Sequence, residues 1–322
     1  MPKVSVIVPV YGVEKYIERC ARSLFEQTLD DIEFIFVNDC TKDNSISVLE
    51  KVIFDYPLRR KQVKILHHEH NKGLSFARQT GVQNATGDYI GHCDSDDWVD
   101  KEMYERMYEE AQKGNYDYIK CGHKKTDGNK YEEIKHVWAP VQTITRKDVI
   151  RYLLQMKGWN SIWDTLARKN IYEGICYTDK AMLEDFFVTS QLIRRSKSFG
   201  IIDKPFYSYF INRDSICNVQ GFEAIKRRVL QAEENLDWVL NELANDDRVF
   251  ICQKDIVVTK WGVKNILVPY MMTKPYYGLW KIVYPEIDYK VWNNSNISLR
   301  NKIRFYCAAI HLVKFLKKTP FV

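Results

Sequence analysis

The first 100 residues alternate short, apolar, β-branched runs with longer segments in which apolar residues recur at helical spacing. The runs are Val4–Val8, Ile32–Val37, Val63–Leu66 and Tyr89–Cys93, and the segments between them are Val13–Gln27, Asn44–Asp55 and Leu74–Asn84. Short apolar runs bounded by turn residues are typical of buried strands. Their alternation with helices predicts an α/β fold, with a mostly parallel sheet and helices on both of its faces. Such sheets bind ligands beyond the carboxyl ends of their strands.

Farther along the chain both patterns continue, and then helices dominate. Helical spacing marks Lys101–Lys113, Arg146–Met156 and Glu184–Arg195, and further strand-like runs are Tyr116–Lys120, Phe199–Asp203 and Phe206–Ile211. Lys204-Pro205 separates the last two runs, and the pattern is helical almost throughout from Gly221 onward. We therefore expect a boundary near Cys217. The expected organisation is one domain, 1–217, in two halves, 1–125 and 126–217, followed by a helical region, 218–322.

The net charge of +6 is unevenly distributed along the chain. After Asp288 there are seven Lys or Arg residues and no acid, whereas the residues up to Asp288 have 41 bases against 42 acids. A balanced body argues against nucleic-acid binding, and a basic tail favours contact with an anionic partner.

The tail has the pattern of an amphipathic helix over 300–318. The basic side chains on one side of that helix are Arg300, Arg304, His311, Lys314 and Lys318. This pattern is typical of a helix that lies on an anionic membrane surface. The alternative is a terminal helix that docks on the protein and leaves a basic face in water.

Cysteine usage indicates the compartment. None of the eight cysteines forms a Cys-x-x-Cys pair, so no zinc site is expected. The N-terminal apolar run is broken by Pro9 without a signal-peptide cleavage site, and no stretch is long and apolar enough to span a bilayer. We therefore expect reduced thiols in a cytoplasmic protein.

Asp94-Ser95-Asp96-Asp97 follows directly on the fourth predicted strand. Residues two apart in an extended segment point the same way, so Asp94 and Asp96 can converge on one point. Two close carboxylates repel unless a cation neutralises them, and hard oxygen ligands suit Mn²⁺ or Mg²⁺, which also bind diphosphate oxygens. The alternative for an isolated motif of this kind is an acidic turn that caps the next helix.

The other strand ends also present residues suited to a nucleotide. Pro9 and Tyr11 end the first strand, and Tyr11 offers an aromatic face. Asp39 ends the second, where its carboxylate can accept the ring N–H of uracil. Lys72 follows the third strand. Arg78 lies in the next helix, where its guanidinium can donate two parallel hydrogen bonds to a phosphate or a base.

Taken in order, these stretches resemble a family 2 glycosyltransferase with the Rossmann-like fold called GT-A. The matching stretches are Ser5–Tyr11, Phe36–Ser45, Asn71–Gly81 and Gly87–Val99, with weaker matches at Met182–Val188 and Lys204–Ile216. Each motif is short, and their joint order and spacing make the resemblance specific. Two positions depart from the family: Gly12 stands where Asn is usual, and Cys40 stands where Gly is frequent.

The resemblance implies roles for these residues. Pro9, Tyr11 and Asp39 would cradle uridine, and Lys72 and Arg78 would lie near the base or diphosphate. The residues of the acidic motif would hold the donor and the metal: Asp94 at the ribose or the metal, Ser95 among the donor-binding residues, and Asp96 as the main ligand of Mn²⁺ or Mg²⁺.

The catalytic base requires another carboxylate on the acceptor side. Glu184 and Asp185 open an apolar helix, where acidic residues are favourable in any case. The resemblance implies that Asp185 is the general base, taking the proton of an acceptor hydroxyl as its oxygen attacks the anomeric carbon. One direct displacement inverts that carbon; retention by another path stays open. Aromatic and polar residues considered for the acceptor side are Trp159, Trp163, Asp164, Tyr207, Tyr209 and Arg213.

The predicted protein is therefore a metal-dependent inverting hexosyl- or N-acetylhexosaminyl-transferase that uses a UDP-sugar and a glycan or lipid-linked glycan acceptor. It would build surface polysaccharide at the inner face of the membrane. One rival is a nucleotidyltransferase, which would be expected to have a Gly-rich basic loop where Tyr11-Gly12-Val13-Glu14 stands. The other rival is a non-catalytic nucleotide-sugar-binding or scaffold protein. Against it, none of the four key aspartates has been lost: Asp39, Asp94, Asp96 and Asp185.

Overall fold

A computed structural model describes residues 1–134, 144–212, 220–271 and 273–310. Its first part alternates strand and helix as predicted: β1 (Val4–Val10), α1 (Ile17–Phe25), β2 (Ile32–Asn38), α2 (Ser45–Asp55), β3 (Val63–His67), α3 (Leu74–Asn84) and β4 (Tyr89–His92). Strands β1 to β4 are all parallel, in the order β3-β2-β1-β4. Their carboxyl ends therefore meet at one rim, which is where the polar motifs were expected.

The second part extends the same sheet with mixed strand directions. Its elements are β5 (Trp98–Val99), α4 (Met103–Lys113), β6 (Tyr118–Thr126), β7 (Tyr131–Ile134), α5 (Arg146–Leu154), β8 (Thr165–Arg168), α6 (Glu184–Arg195) and β9 (Phe199–Phe210). Strand β8 lies antiparallel between β4 and β6, and β9 is parallel to β6. Side chains of β1 alternate between two buried clusters, Ile7 in one and Val6 and Val8 in the other, so helices cover both faces.

Strand β9 is continuous, and the prediction of two strands separated by Lys204-Pro205 is wrong. The pairing with β6 shifts register on both sides of Gly122, which takes up the extra residues of β9. A Cβ atom at Gly122 would lie 2.9 Å from the carbonyl oxygen of Lys204, so this close approach requires glycine.

Strand β1 also continues past Pro9, which was expected to end it. The carbonyl of Ile7 accepts from Cys93 of the β4 side, and Pro9 faces the same side as Ile7 because backbone groups alternate along a strand. The pairing of β1 with β4 ends at Ile7 and His92. The missing N–H of Pro9 therefore costs no ladder hydrogen bond.

The C-terminal region is helical, as predicted, with α7 (Phe222–Ala244), α8 (Gln253–Asn265), α9 (Lys274–Ile282) and α10 (Leu299–Ala309). These helices share one buried cluster with the sheet: the ring of Phe187 in α6 packs at a tilt against that of Trp238 in α7, 4.1 Å between centroids. The boundary expected near Cys217 lies outside the described residues. Within the described ranges, no helix has the length and apolar character needed to cross a membrane.

Candidate active site

The acidic loop after β4 is attached to the last strand of the sheet. Asp97 is buried, and its carboxylate accepts hydrogen bonds from the hydroxyl of Tyr207 and the backbone N–H of Phe210, both at 2.7 Å. The same hydroxyl accepts the backbone N–H of Asp94 at 3.1 Å. Asp97 and the buried Ser95 therefore shape the loop, which presents the partly exposed Asp94 and Asp96 outward.

Arg78 of α3 joins this loop to the start of α6. Its guanidinium is fully buried and donates to Asp94 Oδ1 at 2.7 Å and to Glu184 Oε1 at 2.8 Å. Asp185 Oδ1 lies 3.3 Å from the same guanidinium. Expected beside the base or diphosphate, Arg78 instead holds together three carboxylates from two distant parts of the chain. It thereby brings the predicted base beside the predicted metal motif.

Burial and mutual repulsion set the protonation of these carboxylates. Burial raises the pKa of Asp94 to about 7, and Asp185 and Asp96 add to that rise while Arg78 opposes it. Burial also raises the pKa of Glu184 well above its usual range, again against the pull of Arg78. For Arg78, burial acts to lower the pKa, but the three carboxylates outweigh burial and raise it. The guanidinium is therefore a permanent charge at the centre of the cluster.

Asp96 is oriented by residues that sequence reasoning missed. Its Oδ2 accepts from the side chain of Asn212 at 3.0 Å, and its carbonyl accepts from Arg19 at 2.8 Å. The Arg19 guanidinium lies over the ring of Trp98, 3.7 Å from its centroid. No periodicity or short motif points to Arg19 or Asn212; Asn212 lies within the weaker match at 204–216.

Asp94 and Asp96 form a donor set that suits Mg²⁺ or Mn²⁺. One oxygen of each is bonded to protein, and a carboxylate has a second oxygen to offer a cation. Within the described ranges, no group of three or more His, Cys, Asp or Glu side chains is arranged to hold a metal ion. Mg²⁺ is usually bound through one or two carboxylates together with substrate phosphates, so two aspartates fit that chemistry.

At the end of β2, Asp39 organises the beginning of α3. Its carboxylate accepts the backbone N–H groups of Lys72 and Gly73, each at 2.8 Å, and lies 2.7 Å from Nδ1 of His68. The Nε2 atom of that ring is 2.9 Å from the Thr80 hydroxyl. Asp39 thus links β2, β3 and α3 at the rim, and the side chain of Lys72 is exposed beside it.

The loops after β1 and β2 are also tied to each other. The N–H of Gly12 donates to the Thr41 hydroxyl at 2.9 Å, and Tyr11 is exposed next to it. Gly12 has φ +69° and Cys40 has φ +59°, both in the left-handed region. Glycine adopts this conformation without steric cost, whereas Cys40 adopts it at a cost of about 1–2 kcal/mol.

The residues considered for the acceptor side are mostly buried. Trp159 stacks on Tyr118 in the core, and Asp164 is buried in an ion pair with Lys120. Trp163 stacks on Tyr207 at 4.4 Å and on Tyr209 at 5.7 Å. Of this set, Tyr207 bonds to the acidic loop, with Trp163 stacked on its ring, and Arg213 lies outside the described residues.

Comparison with known proteins identifies relatives over most of the chain. The model of "Glycosyl transferase family 2" matches residues 5–166. The chain is 33% identical to the uncharacterized glycosyltransferase EpsJ of Bacillus subtilis over 225 residues, 68% of this chain and 64% of that protein, so it spans less than two thirds of that relative. It is 33% identical to the glycosyltransferase GlyG of Streptococcus pneumoniae over 286 residues, 86% of this chain and 90% of GlyG.

Solved structures with the same fold have more distant sequences. S. aureus TarS 1–349 in complex with UDP-GlcNAc has 17% identity and a TM-score of 0.61, over 97% of this chain and 92% of that one. The mannosyltransferase PcManGT from Pyrobaculum calidifontis, in complex with GDP-Man and Mn²⁺, has 13% identity and a TM-score of 0.56, over 99% and 88%. At these identities the likeness shows the fold alone.

Proposed function

The chain belongs to glycosyl transferase family 2 and has the GT-A fold, and on that basis we propose that it transfers a hexosyl or N-acetylhexosaminyl group from a UDP-sugar to a glycan or lipid-linked glycan. The observation that carries the proposal is the position of Arg78, which holds Asp94 of the acidic motif and Asp185 of α6 in one cluster. The proposed donor-binding and proton-accepting groups are thereby adjacent, as a sugar transfer requires.

In this proposal the donor lies along the carboxyl rim of β1 to β4. Pro9, Tyr11 and Asp39 stand at neighbouring strand ends and would hold uridine, with the exposed ring of Tyr11 available for stacking. Lys72, whose backbone is held by Asp39, would place its ammonium toward the diphosphate. Residues 1–125, the nucleotide-binding half, would thus hold the donor, and residues 126–217 would hold the acceptor.

The acidic loop would hold the cation and the ribose. Asp96 and Asp94 would ligate Mn²⁺ or Mg²⁺, which supplies positive charge for the departing diphosphate when bound. Ser95, buried between them, would support the two aspartates within the donor site. Arg78 is buried behind Asp94 and fixes the direction of its carboxylate, so in this proposal it acts on the donor through that aspartate.

Asp185 would accept the proton of the acceptor hydroxyl while that oxygen attacks the anomeric carbon. It is partly exposed, unlike its neighbour Glu184, and it is therefore the member of the pair that an acceptor can reach. A single displacement from the face opposite the diphosphate inverts the anomeric carbon.

Solved complexes of similar proteins support the nucleotide class. TarS was solved with UDP and with UDP-GlcNAc, and PcManGT with GDP-Man and Mn²⁺. We favour UDP because the proposed uridine contacts, Pro9, Tyr11 and Asp39, are all present. With a glycan or lipid-linked acceptor, the reaction would belong to surface polysaccharide biosynthesis at the inner face of the cell membrane.

A donor screen by thermal unfolding tests this proposal. The full chain is melted with Mn²⁺ and one of a panel of UDP- and GDP-sugars; a donor at 100 times its Kd should stabilise the protein by about 2.7 kcal/mol. We expect a UDP-sugar to raise the Tm, and hydrolysis or transfer of that same sugar to follow. Binding without any turnover would favour a non-catalytic binding protein, and a shift with nucleoside triphosphate alone would favour a nucleotidyltransferase.

A further inference from the structure

Helix α10 is anchored to the protein by its inner face, and Tyr306 and Ala309 pack partly against the same buried cluster. Phe305 and Ala308 are fully buried, and the ring of Phe305 lies 4.7 Å from that of Trp280 in α9. The Ser298 hydroxyl caps the helix by accepting the backbone N–H of Asn301. The orientation of the helix is therefore determined, and the opposite face points away from the protein.

That outward face is apolar. Leu299, Ile303, Tyr306 and Ile310 follow one another at intervals of four, three and four residues, which places them in one stripe along the helix. Leu299 is 63% exposed, Ile303 44% and Ile310 62%. At 100° per residue the stripe lies opposite Phe305 and Ala308. We name these four residues the outer stripe.

An aromatic residue extends the outer stripe. Trp292 is 51% exposed, and its ring packs edge-on against Tyr306 at 5.5 Å. The Tyr306 hydroxyl donates to the carbonyl of Asp288, which holds the 288–292 turn beside the helix. A half-exposed Trp ring that packs on a partly buried Tyr next to an apolar surface is typical of the membrane–water interface.

Basic residues flank the outer stripe. By helical geometry Arg300 lies on one side of it and Lys302 on the other. No acidic residue follows Asp288, so no carboxylate on α10 opposes an anionic partner. An exposed apolar stripe between basic side chains matches a lipid surface with negative headgroups better than it matches water or an acidic peptide.

We propose that the outer stripe and Trp292 form a surface that seats the protein on an anionic membrane. The side chains of Leu299, Ile303 and Ile310 enter the boundary between headgroups and acyl chains, and Arg300 and Lys302 contact phosphate groups. The sequence expectation was a basic amphipathic helix over 300–318 lying on an anionic membrane, and this proposal specifies which side chains of its first part enter the lipid. His311, Lys314 and Lys318 of that expectation lie outside the described residues.

Vesicle binding tests the surface without depending on enzyme activity. The full chain is sedimented with vesicles of phosphatidylcholine alone, or of phosphatidylcholine and phosphatidylglycerol in equal amounts, and we expect binding to the anionic vesicles that weakens with added salt. The triple variant Leu299→Ser, Ile303→Ser, Ile310→Ser should bind about a hundredfold more weakly. The double variant Arg300→Gln, Lys302→Gln should bind roughly thirtyfold more weakly.

A matched control removes exposed apolar side chains elsewhere. Phe54 and Leu58 are exposed at the end of α2, and the variant Phe54→Ser, Leu58→Ser should bind vesicles like the parent chain. All substituted side chains are at the surface, so the Tm of each variant checks that it folds.

Three results would overturn the proposal. The first is a parent chain that does not bind anionic vesicles at low salt. The second is a triple variant that binds as well as the parent. The third is a dimer in solution that the triple variant lacks while neither protein binds vesicles, which would assign the outer stripe to a second copy of the chain.

Discussion

Replacement of Arg78 by methionine removes the one positive charge among three carboxylates of the site. Methionine has a similar length and no charge, so the change keeps most of the packing and deletes the hydrogen bonds to Asp94 and Glu184. Glu184 is buried and has no other cation within 4 Å in the described part of the chain. Removing one partner of such a buried pair costs about 3–5 kcal/mol, because an uncompensated charge is left behind.

The cost should depend on pH in a defined direction. Without the guanidinium, the pKa values of Asp94 and Glu184 rise further than burial already raises them, beyond about 7 for Asp94. A carboxyl whose folded pKa lies above its unfolded value of about 4 stabilises the fold at low pH and loses that contribution as pH rises through the folded pKa. The loss caused by Arg78→Met should therefore be small near pH 4, grow as pH rises through 7, and reach its full size only above the raised pKa values of the variant.

Thermal and urea unfolding of the two proteins at several pH values measure this difference. At pH 8 we expect the Tm of Arg78→Met to fall by roughly 10 °C. Arg78→Lys keeps the positive charge but cannot donate to two carboxylates in the geometry of a guanidinium. Its Tm should therefore fall less than that of Arg78→Met. Adding Glu184→Gln to Arg78→Met should recover about 1–3 kcal/mol as the coupling energy between the two positions.

Two outcomes would refute the reasoning. If Arg78→Met costs less than about 1 kcal/mol at pH 8, the guanidinium does not compensate buried charge. If the loss is the same at pH 4 and pH 8, it comes from packing, and the electrostatic account of the cluster fails.

Three further substitutions test other parts of the site and the fold. Asp96→Asn should abolish both Mn²⁺-dependent donor binding and turnover with little change in Tm; normal turnover would remove Asp96 as the metal ligand. Asp185→Asn should keep the donor-induced rise in Tm and lower kcat by about 10²–10⁴, and an unchanged kcat would exclude it as the base. Burial acts to raise the pKa of Glu33, but hydrogen bonds from Lys64, Ser5 and Thr86 outweigh it and lower the pKa to about 2. Because that pKa is lowered, Glu33→Gln should cost about 3 kcal/mol at pH 7, and the difference should disappear as pH falls from about 4.5 to 2; equal urea midpoint differences at both ends would contradict this.

The local elements were predictable because their signals are short-range. Helices α3 and α6 begin and end at the predicted residues, and β1 to β4 occupy the predicted runs with small differences at their ends. Strands β5, β7 and β8 were missed, because two to four residues are too few to show a period. The continuity of β9 was missed because it depends on a bulge opposite Gly122, a residue far away in sequence.

In the tail, the sequence predicts the helix, and the tertiary structure decides which of its sides faces outward. Composition and periodicity indicated a basic amphipathic helix. Helix α10 is amphipathic, and its charged side chains are all basic. Packing of Phe305 against Trp280 decided which side faces outward, and that side is the outer stripe. Helical periodicity defines relative positions around an axis, but only a neighbour on one side can fix the rotation of the helix.

The family, the α/β order and the row of polar residues at the strand ends were determined by the sequence itself, because strand period, helix period and motif order are local properties. Only the tertiary structure decided the role of Arg78, whose partners Asp94 and Glu184 lie 16 and 106 positions away. It likewise decided that Asn212 contacts Asp96 across 116 positions. Which charges share a buried space depends on how α3, α6 and β9 pack on the sheet, and no pattern within one segment contains that information.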